Sequence, residues 1–299
     1  MKVVRSFEED KGPKLYICST PIGNLDDVTA RLVETLKSVD VVAAEDTRHT
    51  RKLLSRYDIH VRELASYHEH NAVSRREWLL DLWRQGKRVA LVSDAGTPIV
   101  SDPGDDAVQL AIDAGVPVVP IPGPSAVLTA LVGSGLPALP FTFVGFLPRG
   151  IKEARQSLEQ FGRLPWTFVF YEAPHRLRKT MDLVHLLWPD RQIVLAKELT
   201  KRHETFMFGT AAELVQSLAD DQPRGEYVVV VGPGNSSSEA AGGENGLDLF
   251  AEKPVHMSLE EAVLTVQRLV SEGVSHKEAV KQVAEQNGLR RKDLYDATL

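Results

Sequence analysis

The chain lacks the features that mark several large classes of protein. Its 299 residues include a single cysteine, Cys18, which excludes an internal disulfide and a cysteine-based zinc site. No apolar run reaches the roughly 18 residues that a membrane span needs. The charged start MKVVRSFEEDKG lacks the apolar core of a signal peptide. We therefore expect a cytoplasmic protein with no membrane partner.

Common nucleotide-binding and hydrolase motifs are also missing. The sequence contains no G-x-x-x-x-G-K-[ST] loop and no G-x-G-x-x-G after a strand, which argues against P-loop nucleotidases and ordinary dinucleotide-binding domains. In GPSAV (123–127) a valine stands where the nucleophile elbow of a serine hydrolase needs glycine. His68 and His70 lie close together without a cysteine or an H-E-x-x-H frame, so no metal site is predicted.

The composition itself is that of an ordinary globular protein. Hydrophobic residues make up 43% of the chain and charged residues 25%, and the length suits two domains. The net charge of −6 argues only mildly against a nucleic-acid partner, because phosphate contacts depend on a local basic patch.

Strands alternate with amphipathic helices along most of the chain, which predicts an α/β fold. A Gly- and Pro-containing break at 133–137 separates two such halves, and we expect a mixed sheet in the second. S-x-x-E capping boxes at 258–261 and 275–278 predict helices near the end of the chain. The predicted organisation is an N-terminal tail (1–13), a first α/β domain (14–138), a second α/β domain (139–232), a flexible linker (233–255) and a helical extension similar to a helix-turn-helix (256–299).

The stretch from Arg88 to Ile121 contains the clearest candidate for a binding turn. A β-branched run ends at Ser93, and two acidic turns, DAGTP (94–98) and SDPG (101–104), precede the next helix. In open α/β sheets, ligands bind beyond the carboxyl ends of the strands. A turn that only links a strand to a helix remains the alternative, because Gly-Pro turns are common.

Polar turns also follow other predicted strands, and we expect them to form one crevice between the two halves. They are Pro21–Asn24, Glu45–Arg48, Asp94–Ile99, Pro122–Ser125, Tyr171–Arg176 and Lys197–Lys201. Backbone groups and carboxylates in such a crevice suit a ligand with an amino group and positive charge better than a polyphosphate.

Taken together and in order, these segments resemble the tetrapyrrole methylase superfamily of S-adenosylmethionine-dependent methyltransferases. The segments are LYICSTPIGNLDD (15–27), AAEDTRHTRKLL (43–54), LVSDAGTPIVSDPG (91–104), PIPGPSAVLTAL (120–131), FVGFLPR (143–149), FVFYEAPHRL (168–177), AKELTKRHE (196–204) and GEYVVVV (225–231). Within the superfamily, the chain closely resembles the branch that methylates the 2′-oxygen of a cytidine in the decoding centre of 16S ribosomal RNA.

The resemblance implies a two-domain methylase fold, a homodimer, and S-adenosylmethionine held in the cleft between the domains. The residues implied to bind this donor are Pro21, Ile22, Gly23, Asp94, Ala95, Gly96, Thr97, Pro98, Ile99, Ser125, Ala126, Phe146 and Tyr171. Simpler interpretations stay open for some of them: Asp94 as a turn cap, Ser125 as a helix N-cap, and Tyr171 as a core aromatic.

Removal of a proton from a sugar hydroxyl requires a base or a polarising cation near the cleft. From their location and the resemblance, the predicted catalytic residues are Glu45, Asp46, Arg48, Lys197 and Glu198, and Glu45 or Asp46 with Lys197 is favoured. A local salt bridge among the first three is the alternative. The predicted RNA-binding residues, each of which could instead belong to a solvated face, are Arg51, Lys52, Arg149, Arg176, Lys201, Arg290, Arg291 and Lys292.

The implied partner is 16S ribosomal RNA in the 30S subunit or in an assembly intermediate. Two other functions stay open. One is a tetrapyrrole C-methyltransferase, against which the stretch EDTRHTRK (45–52) and the helical extension count. The other is a non-enzymatic protein that binds the methyl donor as a signal. Salt-dependent affinity for ribosomal RNA would argue against the tetrapyrrole C-methyltransferase. Turnover of the donor would argue against the non-enzymatic protein.

Overall fold

The computed structural model describes residues 12–219, 222–234, 259–271, 274–287 and 291–298. Most of the predicted tail and linker lies outside these ranges, and so does Ser258 of the first capping box. The described residues before 237 form one compact unit, and those after it form a second. Within the described ranges, no helix is long and apolar enough to cross a membrane.

A parallel sheet forms the first half of the larger unit. Its elements, in chain order, are β1 (Lys14–Cys18), α1 (Ala30–Ser38), β2 (Val41–Ala44), α2 (Thr47–Arg56), β3 (Glu63–Ser66), α3 (Ala72–Arg84), β4 (Arg88–Val92), α4 (Asp105–Asp113) and β5 (Val118–Ile121). The strand order is β3-β2-β4-β1-β5, and every pairing is parallel. The carboxyl ends of all these strands therefore lie at one edge of the sheet.

Both faces of this sheet are covered, which explains why its strands are apolar almost throughout. Val41 and Ala43 belong to a buried cluster with side chains of α3 and α4. Val42 and Ala44 point to the other face and join a cluster with side chains of α1 and α2. This alternation follows from the two-residue period of a strand.

The second half is built on a mixed sheet, as predicted. Its elements are α5 (Ala126–Gly133), β6 (Phe141–Phe146), α6 (Ile151–Gly162), β7 (Thr167–Glu172), α7 (Pro174–Leu187), β8 (Gln192–Lys197), β9 (Thr205–Thr210), α8 (Ala211–Leu218) and β10 (Tyr227–Val231). The order is β6-β7-β10-β8-β9, with β6 and β7 parallel and the other neighbours antiparallel. Side chains of α6, α7 and α8 bury one face of this sheet. The predicted α/β class is confirmed.

Helix α5 connects the two halves. It follows β5 of the first sheet, and the sequence break at 133–137 lies after it, yet its buried face packs on the second sheet. Val127, Ala130 and Leu131 share one apolar cluster with Val194 of β8 and Val230 of β10. The first residues of α5 thus lie where the two sheets meet.

The second unit contains the predicted helical structure. Its described helices are α9 (Leu259–Ser271), α10 (His276–Asn287) and α11 (Arg291–Ala297). Val266, Val280, Val283 and Leu294 form its buried core with neighbouring alanines. The Ser275 hydroxyl accepts a hydrogen bond from the Glu278 amide at 3.4 Å, as expected for the second capping box.

The contact between α5 and the second sheet predicts a difference between two leucines of that helix. Leu131 is 3% exposed and Leu128 is 52% exposed. We expect Leu131→Ala to lower the free energy of unfolding by about 2–5 kcal/mol, because it removes buried methyl groups and leaves a cavity. Leu128→Ala should change it by less than about 0.5 kcal/mol. Urea titration of both variants measures the difference, and equal losses would contradict the packing of α5 on the second sheet.

Candidate active site

A cavity of about 340 Å³ lies where residues from the two halves of the larger unit meet. This volume is within the usual range for small-molecule sites. The lining residues are Ile22, Ala95, Gly96, Thr97, Val100, Ser101, Asp102, Ser125, Ala126, Phe146, Tyr171, Glu172, Ala173, Pro174, Leu199, Glu226, Tyr227 and Val228. The first half contributes the turns after β1 and β4, and the second contributes parts of β6, β7 and β10.

Most of the residues predicted to bind the donor line this cavity. They are Ile22, Ala95, Gly96, Thr97, Ser125, Ala126, Phe146 and Tyr171. The remaining predicted residues do not line the cavity; they are Pro21, Gly23, Asp94, Pro98 and Ile99. Gly23 lies in a separate open depression that also contains Arg56 and Arg202. Donor binding by each residue stays a prediction.

Contacts with the end of β1 hold the turn after β4 in place. The backbone N–H of Thr20 donates to the Gly96 carbonyl at 2.8 Å, and the Gly96 N–H donates back to Thr20 at 3.1 Å. The hydroxyls of Ser19 and Thr97 lie 2.9 Å apart. Ile99 has φ +80°, a left-handed conformation that is rare for a β-branched residue. The main chain of this turn is therefore fixed in an unusual shape beside the cavity.

Aromatic rings form the opposite wall. The Tyr171 ring makes edge-to-face contacts with Phe143 and Phe146, at centroid distances of 5.0 and 5.4 Å. Burial raises the pKa of Tyr171 to about 12, and nearby Asp102 contributes, so its hydroxyl stays neutral at physiological pH. Ser125 is the N-cap of α5, as its simpler interpretation expects, and it also lines the cavity.

Carboxylates at the ends of β2 and β4 are tied together by short contacts. The Asp94 carboxylate accepts a hydrogen bond from the Asp46 amide at 3.0 Å and lies 3.1 Å from Nδ1 of His49. The Asp94 amide in turn donates to the Glu45 carboxylate at 3.2 Å. These contacts fix the two strand ends against each other at the carboxyl edge of the sheet.

The expected local salt bridge is present between Asp46 and Arg48. The Asp46 carboxylate caps α2 by accepting from the Arg48 amide at 2.8 Å, and Nε of the same arginine lies 3.0 Å from each carboxylate oxygen. Hydrogen bonds from Arg48 hold the pKa of Asp46 well below its usual range. A carboxylate held in this way is a weak proton acceptor.

The predicted residues after β8 form a second charged group. Nζ of Lys201 lies 3.0 Å from Glu198 and 2.9 Å from Glu226. Burial acts to raise the pKa of Glu198, but the Glu226 amide and the lysines nearby lower it overall. Nζ of Lys197 lies 5.9 Å from the ring centroid of Tyr227. Lys197 and Glu198 do not line the cavity, whereas their neighbours Glu226 and Tyr227 do.

The predicted RNA-binding residues differ in their surroundings. Arg51, Lys52, Arg149 and Arg291 are exposed. Arg176 donates to the carbonyls of Leu147 and Pro148 and pairs with Glu172 at 3.4 Å, and RNA binding by this residue stays a prediction. Arg290 and the side chain of Lys292 lie outside the described residues.

Asp102 is the cavity residue that the sequence-based prediction missed most clearly. Burial raises its pKa to about 6, repulsion from Glu45 and Asp94 adds to the shift, and the nearby Ser93 hydroxyl opposes it. The only signal in the sequence was its position in the second acidic turn, SDPG (101–104). Glu226, Tyr227 and Val228 were also missed, because β10 pairs with strands that are distant in the chain.

A cavity beyond the carboxyl ends of the strands, with aromatic and acidic walls, is typical of α/β proteins that bind a small molecule there. Residues 14–215 match the family model of the Tetrapyrrole (Corrin/Porphyrin) Methylases. The chain therefore belongs to the tetrapyrrole methylase family, and the resemblance predicted from its motifs is confirmed.

Curated relatives extend the match to almost the whole chain. The Ribosomal RNA small subunit methyltransferase I of Halalkalibacterium halodurans is 43% identical, over 99% of this chain and 98% of that protein. The protein of the same name from Bacillus subtilis is 42% identical, over 95% of this chain and 93% of that protein. Among solved structures, uroporphyrin-III C-methyltransferase from Thermus thermophilus, complexed with S-adenyl homocysteine, superposes with a TM-score of 0.51 at 20% identity, covering 73% of this chain and 97% of that one. This last likeness concerns the fold.

The raised pKa of Asp102 predicts a pH-dependent gain in stability when its charge is removed. Because the pKa in the folded state is about 6, above the usual value of 3.8, the ionised carboxylate destabilises the fold increasingly as pH rises from about 4 through 6. We expect Asp102→Asn to raise the free energy of unfolding at pH 8 by on the order of 1–3 kcal/mol, with a smaller gain at pH 5.

Urea titrations at both pH values measure this effect. Asp105→Asn, at an exposed carboxylate three positions along the chain, is the matched control and should show no such gain. An Asp102→Asn variant that is destabilised to the same extent at pH 5 and pH 8 would contradict the assignment.

Proposed function

We propose that the protein transfers the methyl group of S-adenosylmethionine to the 2′-oxygen of a cytidine in 16S ribosomal RNA. The observation that carries the proposal is the match to curated ribosomal RNA small subunit methyltransferases I over 99% of the chain. That match includes the helical unit beyond the family model, which ends at residue 215. A C-methyltransferase of tetrapyrroles would have no evident use for a basic stretch such as EDTRHTRK (45–52).

The cavity fits the donor. Bound S-adenosylmethionine supplies a methyl group on a positively charged sulfur. Phe146 and Tyr171 offer aromatic surface for the purine, and Leu199 and Val228 offer apolar surface beside it. The Asp102 carboxylate favours a cationic ligand. Uroporphyrin-III C-methyltransferase from Thermus thermophilus, which shares the fold, was solved in complex with S-adenyl homocysteine.

The protein contributes mainly alignment and proton removal, because the methyl group is already activated. Alignment of two reactants is worth roughly 7–11 kcal/mol of barrier. The fixed turn from Asp94 to Gly104 and the capped start of α5 suit this role. Of the two acids favoured from the sequence, Glu45 stays a candidate for the catalytic cluster with Lys197. Asp46 is better suited to hold Arg48 in position than to accept a proton.

The acceptor is proposed to be a 30S subunit or an assembly intermediate in the cytoplasm. The exposed Arg51 and Lys52 on α2 and Arg149 after β6 are proposed to contact phosphates. We also propose a homodimer, as the family resemblance implies. Sedimentation at micromolar concentration should then give twice the mass of the chain.

Loss of the aromatic wall should weaken donor binding. We expect Tyr171→Ala to raise the Kd for S-adenosylhomocysteine about tenfold or more, because the ring supplies buried contact area, and about tenfold corresponds to 1.4 kcal/mol. Tyr171→Phe keeps the ring and should change the Kd by less than about threefold. Isothermal titration calorimetry measures both constants. Unchanged affinity in Tyr171→Ala would place the donor elsewhere.

Removal of the basic residues of α2 should weaken RNA binding in a salt-dependent way. Log affinity for RNA falls as log salt rises, and the slope is negative. We expect the double variant Arg51→Ala/Lys52→Ala to make this slope less negative, by about one for each phosphate that the protein no longer neutralises. Lys37→Ala is the matched control, since Lys37 lies at the end of α1, next to the amino end of β2. Filter binding of 16S RNA fragments at several salt concentrations gives the slopes. Identical slopes in the wild type and the double variant would remove α2 from the RNA-binding surface.

Methyl incorporation tests the proposed function itself. The protein is incubated with tritiated S-adenosylmethionine and 30S subunits that lack the modification, and label is mapped by nuclease digestion. A 2′-O-methyl group protects the adjacent phosphodiester from alkali, so label should be recovered in one alkali-resistant dinucleotide that contains cytidine. Modified 30S subunits are the negative control. Donor binding without label in RNA would contradict the proposal and favour a tetrapyrrole acceptor or a signalling role.

A further inference from the structure

We propose that Asp102 accepts the proton of the acceptor hydroxyl during methyl transfer. This role rests on the function proposed above and adds a residue that the family resemblance did not bring forward. The supporting observations are the place of Asp102 in the cavity and the contacts of the other acids around it.

A catalytic base must reach the acceptor oxygen, which must itself approach the methyl group of the bound donor. The base therefore has to border the donor cavity. Glu45, Asp46 and Glu198 do not line it, whereas Asp102 does. Glu45 is nevertheless close enough for its charge to raise the pKa of Asp102, so it influences the cavity without lining it.

The other acidic groups on the cavity wall are already engaged. Glu172 is 2% exposed, pairs with Arg176 and accepts hydrogen bonds from Thr180 and Ala173. Glu226 pairs with Lys201. Among the described residues that line the cavity, Asp102 is the one carboxylate that forms no ion pair.

The surroundings of Asp102 suit a base that works near neutral pH. The groups that act on it are the Ser93 hydroxyl and the carboxylates of Glu45 and Asp94, and Asp102 in turn raises the pKa of the Tyr171 hydroxyl. The like charges and partial burial make it a stronger base than a solvent-exposed aspartate, while its pKa of about 6 leaves it mostly ionised at pH 7. The pKa values of the other two acids are lowered instead: that of Asp46 by hydrogen bonds from Arg48, and that of Glu198 by the Glu226 amide and nearby lysines.

The backbone around Asp102 is constrained. Ser101 has φ +70° and Gly104 has φ +129°. Glycine is favoured at position 104 because of this φ and because a Cβ there would lie 2.6 Å from Cδ2 of Leu91 in β4. A base on such a turn is held in position rather than carried on a free loop.

Atoms and charges balance in the proposed step. The ribose 2′-oxygen forms a bond to the methyl carbon as the bond from that carbon to sulfur breaks, and the electron pair of the broken bond stays on sulfur. The hydroxyl proton passes to a carboxylate oxygen of Asp102. The products are a 2′-O-methyl ether, a neutral thioether and a protonated Asp102, which then releases its proton to water.

The test measures methyl transfer to 30S subunits as a function of pH in the wild type, Asp102→Asn and Asp102→Glu. Affinity for S-adenosylhomocysteine is measured in parallel. For the wild type, kcat/KM for the donor should rise tenfold per pH unit below about 6 and then level off. In Asp102→Asn, kcat at pH 7.5 should fall about 100-fold or more, while the Kd for S-adenosylhomocysteine should stay within about threefold of the wild-type value. Its pH profile should no longer show the plateau that the wild type reaches above pH 6. Asp102→Glu should recover part of the rate and the plateau.

Asp105→Asn serves as the control and should match the wild type in rate and in pH profile. Three results would overturn the assignment of the base: an Asp102→Asn rate within about threefold of wild type, an unchanged pH profile at a reduced rate, or a loss of product affinity as large as the loss of rate. A wild-type protein that binds product but labels no RNA would instead contradict the proposed function, so the two failures are distinguishable.

Discussion

The hydrophobic contact between α5 and the second sheet determines where the cavity forms. Helix α5 starts just after β5, at the carboxyl edge of the parallel sheet, and buries Val127 and Leu131 against strands of the other sheet. Ile22, from the turn after β1, and Leu199, from the turn after β8, join the same apolar cluster. Packing thus brings the polar strand ends of the first half against the aromatic wall of the second.

Charge is distributed unevenly around this junction. Asp46 and Asp102 both lie on turns at the carboxyl edge of the parallel sheet, yet their pKa values shift in opposite directions. Asp46 has a guanidinium partner, whereas Asp102 is partly buried near two other carboxylates. Pairs of acids separated in this way are typical of sites where one group organises the structure and the other exchanges a proton. The destabilising carboxylate at Asp102 would then be a cost that function imposes on the fold.

Much of this architecture was predictable from the sequence because its signals are local. The β-branched runs that became β4 and β10, the acidic turns after β4 and the break after α5 are all visible in short windows. Strand β3 gave no signal, since ELAS (63–66) lies at the sheet edge and none of its residues is fully buried. Most of the residues that the family motifs predict to bind the donor line the cavity, and donor binding by each of them stays a prediction.

What the sequence could not supply depends on contacts between distant segments. Asp102 lines the cavity from a turn that approaches Leu91 of β4 at Gly104, and Tyr227 lines it because β10 lies between β7 and β8. Arg176 is predicted to bind RNA, and nothing in the sequence shows that its guanidinium also donates to the carbonyls of Leu147 and Pro148. Hydrogen bonds between a side chain and a distant segment leave no periodic or compositional pattern in the sequence from which they could be predicted.

The cavity between the two halves is the proposed binding site of the methyl donor. A crystal structure of the protein with S-adenosylhomocysteine would show whether the donor occupies it. We predict density for the ligand in contact with Tyr171, Ala126 and the turn that carries Gly96 and Asp102. Ligand density in the open depression beside Gly23 and Arg202, with this cavity empty, would contradict the account.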